Sequence, residues 1–532
     1  MSPKARILLK LALPATLFVA AICWPVIAHY RAKSKLERCW ASLQANGEKA
    51  KISELTPNLS SAERGAAISL LAAAGQLPTI TSNVPPLMKV VSPGRAMVAW
   101  QQDVLANSEV SNVWEMLPPL LQANADNLAQ IKILLMDESP AFTLNYEQGF
   151  SLLLPHLGRV KTIAQWLSTE AVYQMHAGET SNALVTLNAL TAFAQKGGQE
   201  PLIISELVRI AINAIGMATS WDLIQSSELK ESELLDLQRS WQVVDFLSQA
   251  ESALAMERAM ASKTFAAGRK TYSVILSGGF SSTPPSTALA ELTQLSKDVL
   301  DNPKEGLQSL AHRYPGYWRW KWWQSYEDEI AGVETIQASL EAIRAARRGN
   351  PLGPAVKELD KRSAQIRGKY PVSGRWLGYT MANGITPFVN RIARIEMQRT
   401  LLVTAIALKR YELSHSNYPP ALTALVPQFL EVLPVDPMDG QPLRYQLCAD
   451  GLFLLYSVGD DGEDNGGDPS PSTAAVKQWL RARDVVWPLA ATKAEVDAEA
   501  MRVVAERKRA LDGGISAEFR KKYGLDSKVP PP

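Results

Sequence analysis

The sequence predicts a mainly α chain: an N-terminal transmembrane helix, an irregular α-helical array, and a small α+β unit near the C-terminus with a short antiparallel sheet. Three observations carry this. Leu11 to Ala28, LALPATLFVAAICWPVIA, contains no charge and is about long enough to cross a bilayer core. Between residues 35 and 345, apolar residues recur in blocks at the three–four spacing of a buried helix face. Far along the chain, Leu443 to Leu447 alternates apolar and polar residues and Leu452 to Tyr456 is a short apolar run. The four residues between them end in Asp450-Gly451, which reads as a β-hairpin. The boundaries that follow are an anchor at 1–30, the array at 31–345, a linker or bridge at 346–390, the α+β unit at 391–470 and a charged, partly helical or disordered tail at 471–532.

Composition narrows the function classes. A chain of 532 residues is too long for one small core. With 46% hydrophobic and 20% charged residues, it is globular and not disordered. Fifty-five basic against 53 acidic residues give a net charge of +2, which supplies no reason to expect nucleic acid as a partner. Three cysteines are too few for a disulfide scaffold or a thiolate zinc cluster. Cys23 lies in the apolar run, and Cys39 and Cys448 read as two separate thiols.

Taken in order, the apolar run is preceded by Lys4, Arg6 and Lys10 and followed by Arg31, Lys33, Lys35 and Arg38. Basic residues on both sides leave the positive-inside rule undecided. A cleaved signal peptide is the rival reading, since Val26-Ile27-Ala28 has residues small enough for a cleavage site. The length of the run, with Trp24 and Pro25 near its end, argues for a retained signal-anchor.

The array follows. Ala66 to Ala74 is an alanine- and leucine-rich helix, and SNVPPLMKVVSPG is a loop. In the next helix Val160, Ile163, Ala164, Leu167, Ala171 and Val172 share one face. His176 to Leu184, with Gly178, turns the chain back into a second helix, Ala183 to Ala194. Helix, glycine turn and alanine-rich helix is the local logic of a helical hairpin, but no fixed period recurs, so the array is irregular. Pro201 to Trp221 is the most apolar soluble helix, with proline suited to its first turn. Glu206 and Arg209, three apart, pair on one side.

Arg313 to Glu329, RYPGYWRWKWWQSYEDE, has the most unusual composition. Trp318, Trp322 and Tyr326 recur every four residues, with Trp320 and Trp323 on another face. Core packing explains such tryptophans first, contact with a bilayer interface second, and nucleic-acid stacking last.

The C-terminal unit opens with a helix carrying Leu402, Ala405, Ile406 and Leu413 on one face. It should stop before Tyr418-Pro419-Pro420. A second short helix, Ala421 to Phe429, precedes turns at Asp436-Pro437 and Asp439-Gly440. After the hairpin comes an acidic, glycine-rich loop, SVGDDGEDNGGD, at 457–468. Val485 to Leu489 is expected to pack back on the core, and Glu495 to Leu511 to form a loosely attached helix.

Residues 399–468 resemble the C-terminal globular domain of the major pseudopilin of type II secretion systems. The likeness rests on Ala407 to Leu413, Asn417-Tyr418-Pro419, Leu433 to Pro437, Gly440, Leu443-Arg444-Tyr445 and Tyr456 to Gly462, in that order. True pseudopilins open on a basic leader ending in glycine, with a glutamate five residues into the apolar segment. Here no glycine precedes Gly47 and the apolar run holds no glutamate, so a prepilin peptidase site is not expected, nor is assembly into a pseudopilus, which in the family runs through that apolar segment. The remainder resembles uncharacterised membrane-anchored helical bacterial proteins, a likeness that brings no activity.

The resemblance implies calcium in the acidic loop. Asp461 is the position it carries over, with Asp464 and Asp468 as further metal ligands. Calcium takes six to eight oxygens in a flexible cage, and the spacing here is not that of an EF-hand. Elsewhere, His29, His156, His176, His312 and His415 form no metal-helix spacing. No phosphate loop or nucleophile elbow is present, which favours a role other than catalysis. The expected function is therefore a scaffold or binding protein, single-pass in the cytoplasmic membrane, with its bulk in the periplasm and envelope proteins as partners. The alternative is an envelope hydrolase or sugar-active enzyme using Glu206, or another buried acid, beside the tryptophans. A cavity lined by two or more carboxylates would favour the enzyme, and a solid core with Glu206 paired to Arg209 would favour the scaffold.

Overall fold

The computed structural model describes residues 26–80, 85–105, 112–196, 200–270, 320–369, 377–471 and 479–512. Residues 11–25 of the expected anchor lie outside them, as do Arg313 to Arg319 of the tryptophan-rich stretch.

Local signals in the sequence set the first helices. α1 covers 26–45 and α2 is the single turn Ile52–Leu55. α3, Ser61–Gln76, starts where Ser60 Oγ accepts from Glu63 N at 3.1 Å while Ser60 N donates to the Glu63 carboxylate at 2.7 Å. That reciprocal cap satisfies two otherwise orphaned N–H groups. β1, Lys89–Ser92, and β2, Arg95–Met97, form an antiparallel pair. α4, Val113–Ala123, and α5, Ala125–Asp137, lead to the helical hairpin α6, His156–His176, and α7, Thr180–Lys196. Val160, Ile163, Ala164, Leu167, Ala171 and Val172 are all buried, as their spacing predicts. The turn closes where Gly178 N donates to Met175 O and Glu179 N to Gln174 O, the pattern that ends a helix at a left-handed glycine.

α8, Ile203–Leu223, is among the described residues the one helix long and apolar enough to cross a membrane. It lies instead against α6, α7 and α10, Phe246–Lys270, and meets α9, Glu231–Gln242, through Trp241. Its indole Trp221 Nε1 donates to Pro488 O at 2.7 Å, and Trp241 Nε1 of α9 donates to Ser220 Oγ at 2.9 Å. Both rings are fully buried. These are core contacts, and the helix is the central buried one that its composition predicts.

A π-helical turn, Trp320–Gln324, enters α11, Ser325–Arg347, and α12 follows at Leu352–Lys369. α13, Leu377–His415, continues for 39 residues. The sequence predicts a linker over 346–390, and the structure has two helices there. Pro354 falls in the first turn of α12, where its missing donor costs nothing, and Leu352, Val356 and Leu359 are buried. Apolar periodicity thus outweighs glycine and proline content.

The C-terminal hairpin forms as expected, with β3, Arg444–Leu447, antiparallel to β4, Phe453–Ser457, and Tyr445 opposite Leu455. Asp450 accepts from Leu452 N in the turn. The predicted second helix at 421–429 is only a 3-10 turn, Leu422–Leu425. β5, Val485–Val486, joins β4, while β6, Leu489–Ala490, runs parallel to β2. α14, Lys493–Asp512, closes the described chain beside β1. Residues 485–490 therefore pack on the core, as anticipated, and reach across to the N-terminal hairpin in place of trailing from the last unit.

The described residues are mainly helical, with two small three-stranded sheets, β1-β2-β6 and β3-β4-β5. One cluster of buried side chains runs from Ala67 of α3 through Ile406 of α13 to Leu455 and Trp487. Array and C-terminal unit share this core. Arg410 of α13 bonds Glu231 of α9 at 2.6 and 2.8 Å, and Gln238 of α9 donates to Phe429 O at 2.8 Å.

Candidate functional site

The acidic loop sits at the end of β4 on a buried carboxylate. Asp436 accepts from Met438 N, Ser457 Oγ and Val458 N at 2.8–3.0 Å. The two motif pieces around Asp436 and Ser457 are thereby joined into one structural knot. Asp484 performs the same task beneath the loop, accepting from Asn465, Gly467 and Asp468 N–H groups at 2.7–3.1 Å. Gly459, at φ +65, passes so close to Arg483 that a Cβ would lie 2.8 Å from its carbonyl.

Asp461, Asp464 and Asp468, the expected calcium ligands, are each engaged elsewhere. Asp461 Oδ1 accepts from Glu463 N at 3.0 Å and Oδ2 from Asn465 Nδ2 at 3.4 Å. Asp464 Oδ1 accepts from Tyr456 Oη and Gly466 N, and Oδ2 from Arg444. Asp468 accepts from Ser470 N and faces Arg483 at 3.6 Å. All six carboxylate oxygens face N–H or O–H donors, whose positive ends repel a cation. Lys357 donates to the Asp461 carbonyl and Arg394 pairs with Asp460. Among the described residues, no three His, Cys, Asp or Glu side chains are gathered as a metal requires. In this arrangement the loop does not fit a calcium cage.

Glu206 and Arg209 form a two-pronged pair at 2.7 and 2.8 Å, both 2% exposed. Arg209 also donates to Asp245 O and stacks on Phe246 at 4.8 Å. Burial pushes the Glu206 carboxyl up and the adjacent guanidinium opposes that shift. The carboxylate is held by its partner and turned away from solvent, as a structural pair should be.

The tryptophans divide. Trp320 is buried, its Nε1 donating to Asp328 at 3.0 Å and its ring stacked at 6.3 Å on Phe265. Trp322 is 44% exposed. His29, one residue past the predicted span, donates from Nδ1 to the Trp322 carbonyl at 3.0 Å, with ring centroids 5.0 Å apart. Tyr326 meets the same imidazole edge-on at 5.1 Å, and the Arg269 guanidinium lies 4.5 Å over Tyr326. Arg31, Lys35 and Arg38, on one face of α1, line an adjoining cleft with Ile27 and Glu327. Aromatic and basic side chains therefore form a collar beside the point where the apolar run ends.

The other described histidines are structural. His156 bonds Glu200 at 3.2 Å, His176 bonds Trp100 O at 2.8 Å, and His415 stacks on Tyr411.

One acid escapes every sequence signal. Glu257, in the middle of α10, borders a cavity of about 240 Å³. The other walls are Gly149, Phe150, Leu152 and Leu154 before α6, Leu202 just ahead of α8 and Ile203, Ile204 and Leu207 within it, Met260, and Gly384 and Ile385 of α13. Every other side chain among them is apolar. Among the described residues, Glu257 has no hydrogen-bond or ion-pair partner. Desolvation by these walls alone raises its carboxyl to about 7. The residue is only partly buried because it opens onto the cavity. The flanking sequence AMERAMA carries nothing that sets Glu257 apart from a solvated helix position.

No protein-family model, curated protein or solved structure matches this chain.

Proposed function

We propose that the chain is a membrane-anchored envelope scaffold or binding protein, held in the cytoplasmic membrane by residues 11–28 with its bulk in the periplasm. Its pseudopilin-like unit is built into the array and is not a separate module. The observation that carries the reading is the collar of His29, Trp322 and Tyr326 with Arg31, Lys35 and Arg38. Aromatic rings with one apolar and one polar side settle at the level of lipid headgroups, and basic side chains are drawn to anionic lipid. The collar stands at the depth where the apolar run would leave the bilayer.

Binding is favoured over catalysis by the state of the acid considered for hydrolysis. Glu206 is locked to Arg209, and Trp320 beside α11 is buried and bonded, so neither offers a surface for sugar. Envelope proteins are the proposed partners. Flotation of the full chain with membranes, with a periplasm-active reporter fused after Pro532, tests this. A floating chain with an active reporter supports the proposal. A soluble chain, or a reporter active only in the cytoplasm, contradicts it.

A further inference from the structure

The acids of the core each have a task. Glu206 pairs with Arg209, Asp436 and Asp484 gather backbone N–H groups, and Asp222 accepts from Ala99 N at 3.0 Å and Met88 N at 3.3 Å. An ionisable group kept in an apolar setting with no partner costs stability. Glu257 is such a group, and it faces space. Its position on the wall of a cavity separates it from an acid merely trapped in packing.

We propose that the cavity of α8, α10 and α13 is a binding site for a small organic cation, a compact apolar body ending in a protonated amine that pairs with Glu257. This deepens the binding role proposed above by assigning it a ligand class. Size and chemistry argue it together. A dry apolar cavity of about 150 Å³ accepts benzene, so about 240 Å³ accommodates a single ring or short alkyl chain with a small head. The Phe150, Leu207 and Ile385 walls suit the apolar body. One carboxylate without a neighbouring cation selects the opposite charge and rejects an anion. Among the described residues no second acid, nucleophile or hydroxyl lines the cavity.

Charged groups on the surrounding elements do not compete. On α8, Glu206 and Arg209 satisfy each other, and on α10 Lys263 pairs with Glu147 and Arg258 with Glu48. None acts on Glu257 by charge. Amine binding should therefore require ionisation of Glu257 itself and strengthen from pH 6 to pH 8.

The full chain, purified in nanodiscs, would be titrated with benzylammonium, benzyl alcohol and benzoate by calorimetry. Benzylammonium is expected to bind at pH 8, at least tenfold more weakly to Glu257→Gln and more weakly to wild type at pH 6. Benzyl alcohol should bind both proteins alike, and benzoate neither. Leu207→Phe, which fills the cavity and leaves the acid, should lose both ring compounds. Absence of benzylammonium binding, or equal binding by wild type and Glu257→Gln, overturns the site. A chain that floats with membranes yet ignores benzylammonium overturns this site alone. A soluble chain that binds it overturns the localisation alone.

Discussion

The acidic loop at 460–468 and the cavity at Glu257 differ in charge density and in what answers that charge. The loop crowds carboxylates together, and those of Asp460, Asp461, Asp464 and Asp468 each meet an arginine, a hydroxyl or a backbone N–H. The cavity holds one carboxyl, and nothing among the described residues answers it. Charge density is visible in a sequence, whereas the absence of a partner emerges only when distant elements close around a group. The denser region is the structural one. The sparse region has the free valence that binding requires.

The largest expected effect comes from turning a paired acid into an unpaired one. Arg209→Met leaves Glu206 buried without its guanidinium and should cost about 3–5 kcal/mol, read as a lower midpoint in denaturant. Glu257→Gln, which removes an acid already alone, should cost little. The sign follows from its raised carboxyl, whose neutral form is favoured by folding. That contribution is complete below the usual glutamate range and is lost as pH rises through about 7. The Gln variant should gain on wild type between pH 5 and pH 8. Equal losses from both variants would erase the contrast between the two acids.

A second test concerns how firmly the loop-bearing unit is attached. Gly353 N, in the first turn of α12, donates to Met438 O at 3.0 Å, and a Cβ there would come within 2.3 Å of that same carbonyl. Backbone cannot swing aside as a side chain does. Gly353→Ala should cost about 1–3 kcal/mol and expose the 436–440 turn to proteolysis. An unchanged midpoint would mean that α12 is not clamped to the unit.

Much of the fold was legible because its causes are local. The α6–α7 hairpin follows from apolar spacing and Gly178, and the β3–β4 hairpin from alternation and Asp450-Gly451. The Glu206–Arg209 pair follows from three-residue spacing on an apolar helix. What was not legible depends on distance along the chain. The parallel pairing of β6 with β2 joins Ala490 to Ala96, and two-residue strands have no periodicity of their own. The helices at 352–369 and 377–390 were hidden because Gly353, Pro354 and Pro387 suggested a break. Pro354 sits where a helix tolerates it, and α13 carries Pro387 within its span. Among site residues, Asp461, Asp464 and Asp468 were found by their density, while their donors, Arg444 and Tyr456 among them, lie in separate strands. Glu257 had no signal, since its walls come from α8, α13 and the segment before α6.

Smaller effects belong to the loop. Arg444→Ala should cost about 1–2 kcal/mol, because its Asp464 partner is 47% exposed while Asp439 and Asp436 are not. For Asp439, burial pushes the carboxyl up, but the Arg444 bonds and charge, with Gln441 N, hold it below the usual range. For Asp464, the Gly466 N–H does so first, with Tyr456 and Arg444 adding to it. A depressed folded value gives stability that is present above the ordinary aspartate range near 4 and lost as pH falls below it. Arg444→Ala should flatten that acid limb in a melting series. The smallest effect is that of calcium. With every oxygen of Asp461, Asp464 and Asp468 facing a donor, the full chain should melt at the same temperature in millimolar calcium and in chelator. A rise with calcium would mean that the loop rearranges into the cage its family likeness implies.

Among the described residues Glu257 stands alone until a cation reaches it, and its own titration is the sharpest check. Infrared difference spectra of the full chain, with Glu257→Gln as the reference, isolate this one carboxyl. A midpoint near 7 is expected without ligand, with a fall toward the ordinary glutamate range when benzylammonium is added. A carboxyl that titrates at about 4.5 without ligand, or whose midpoint is unmoved by the amine, would contradict this.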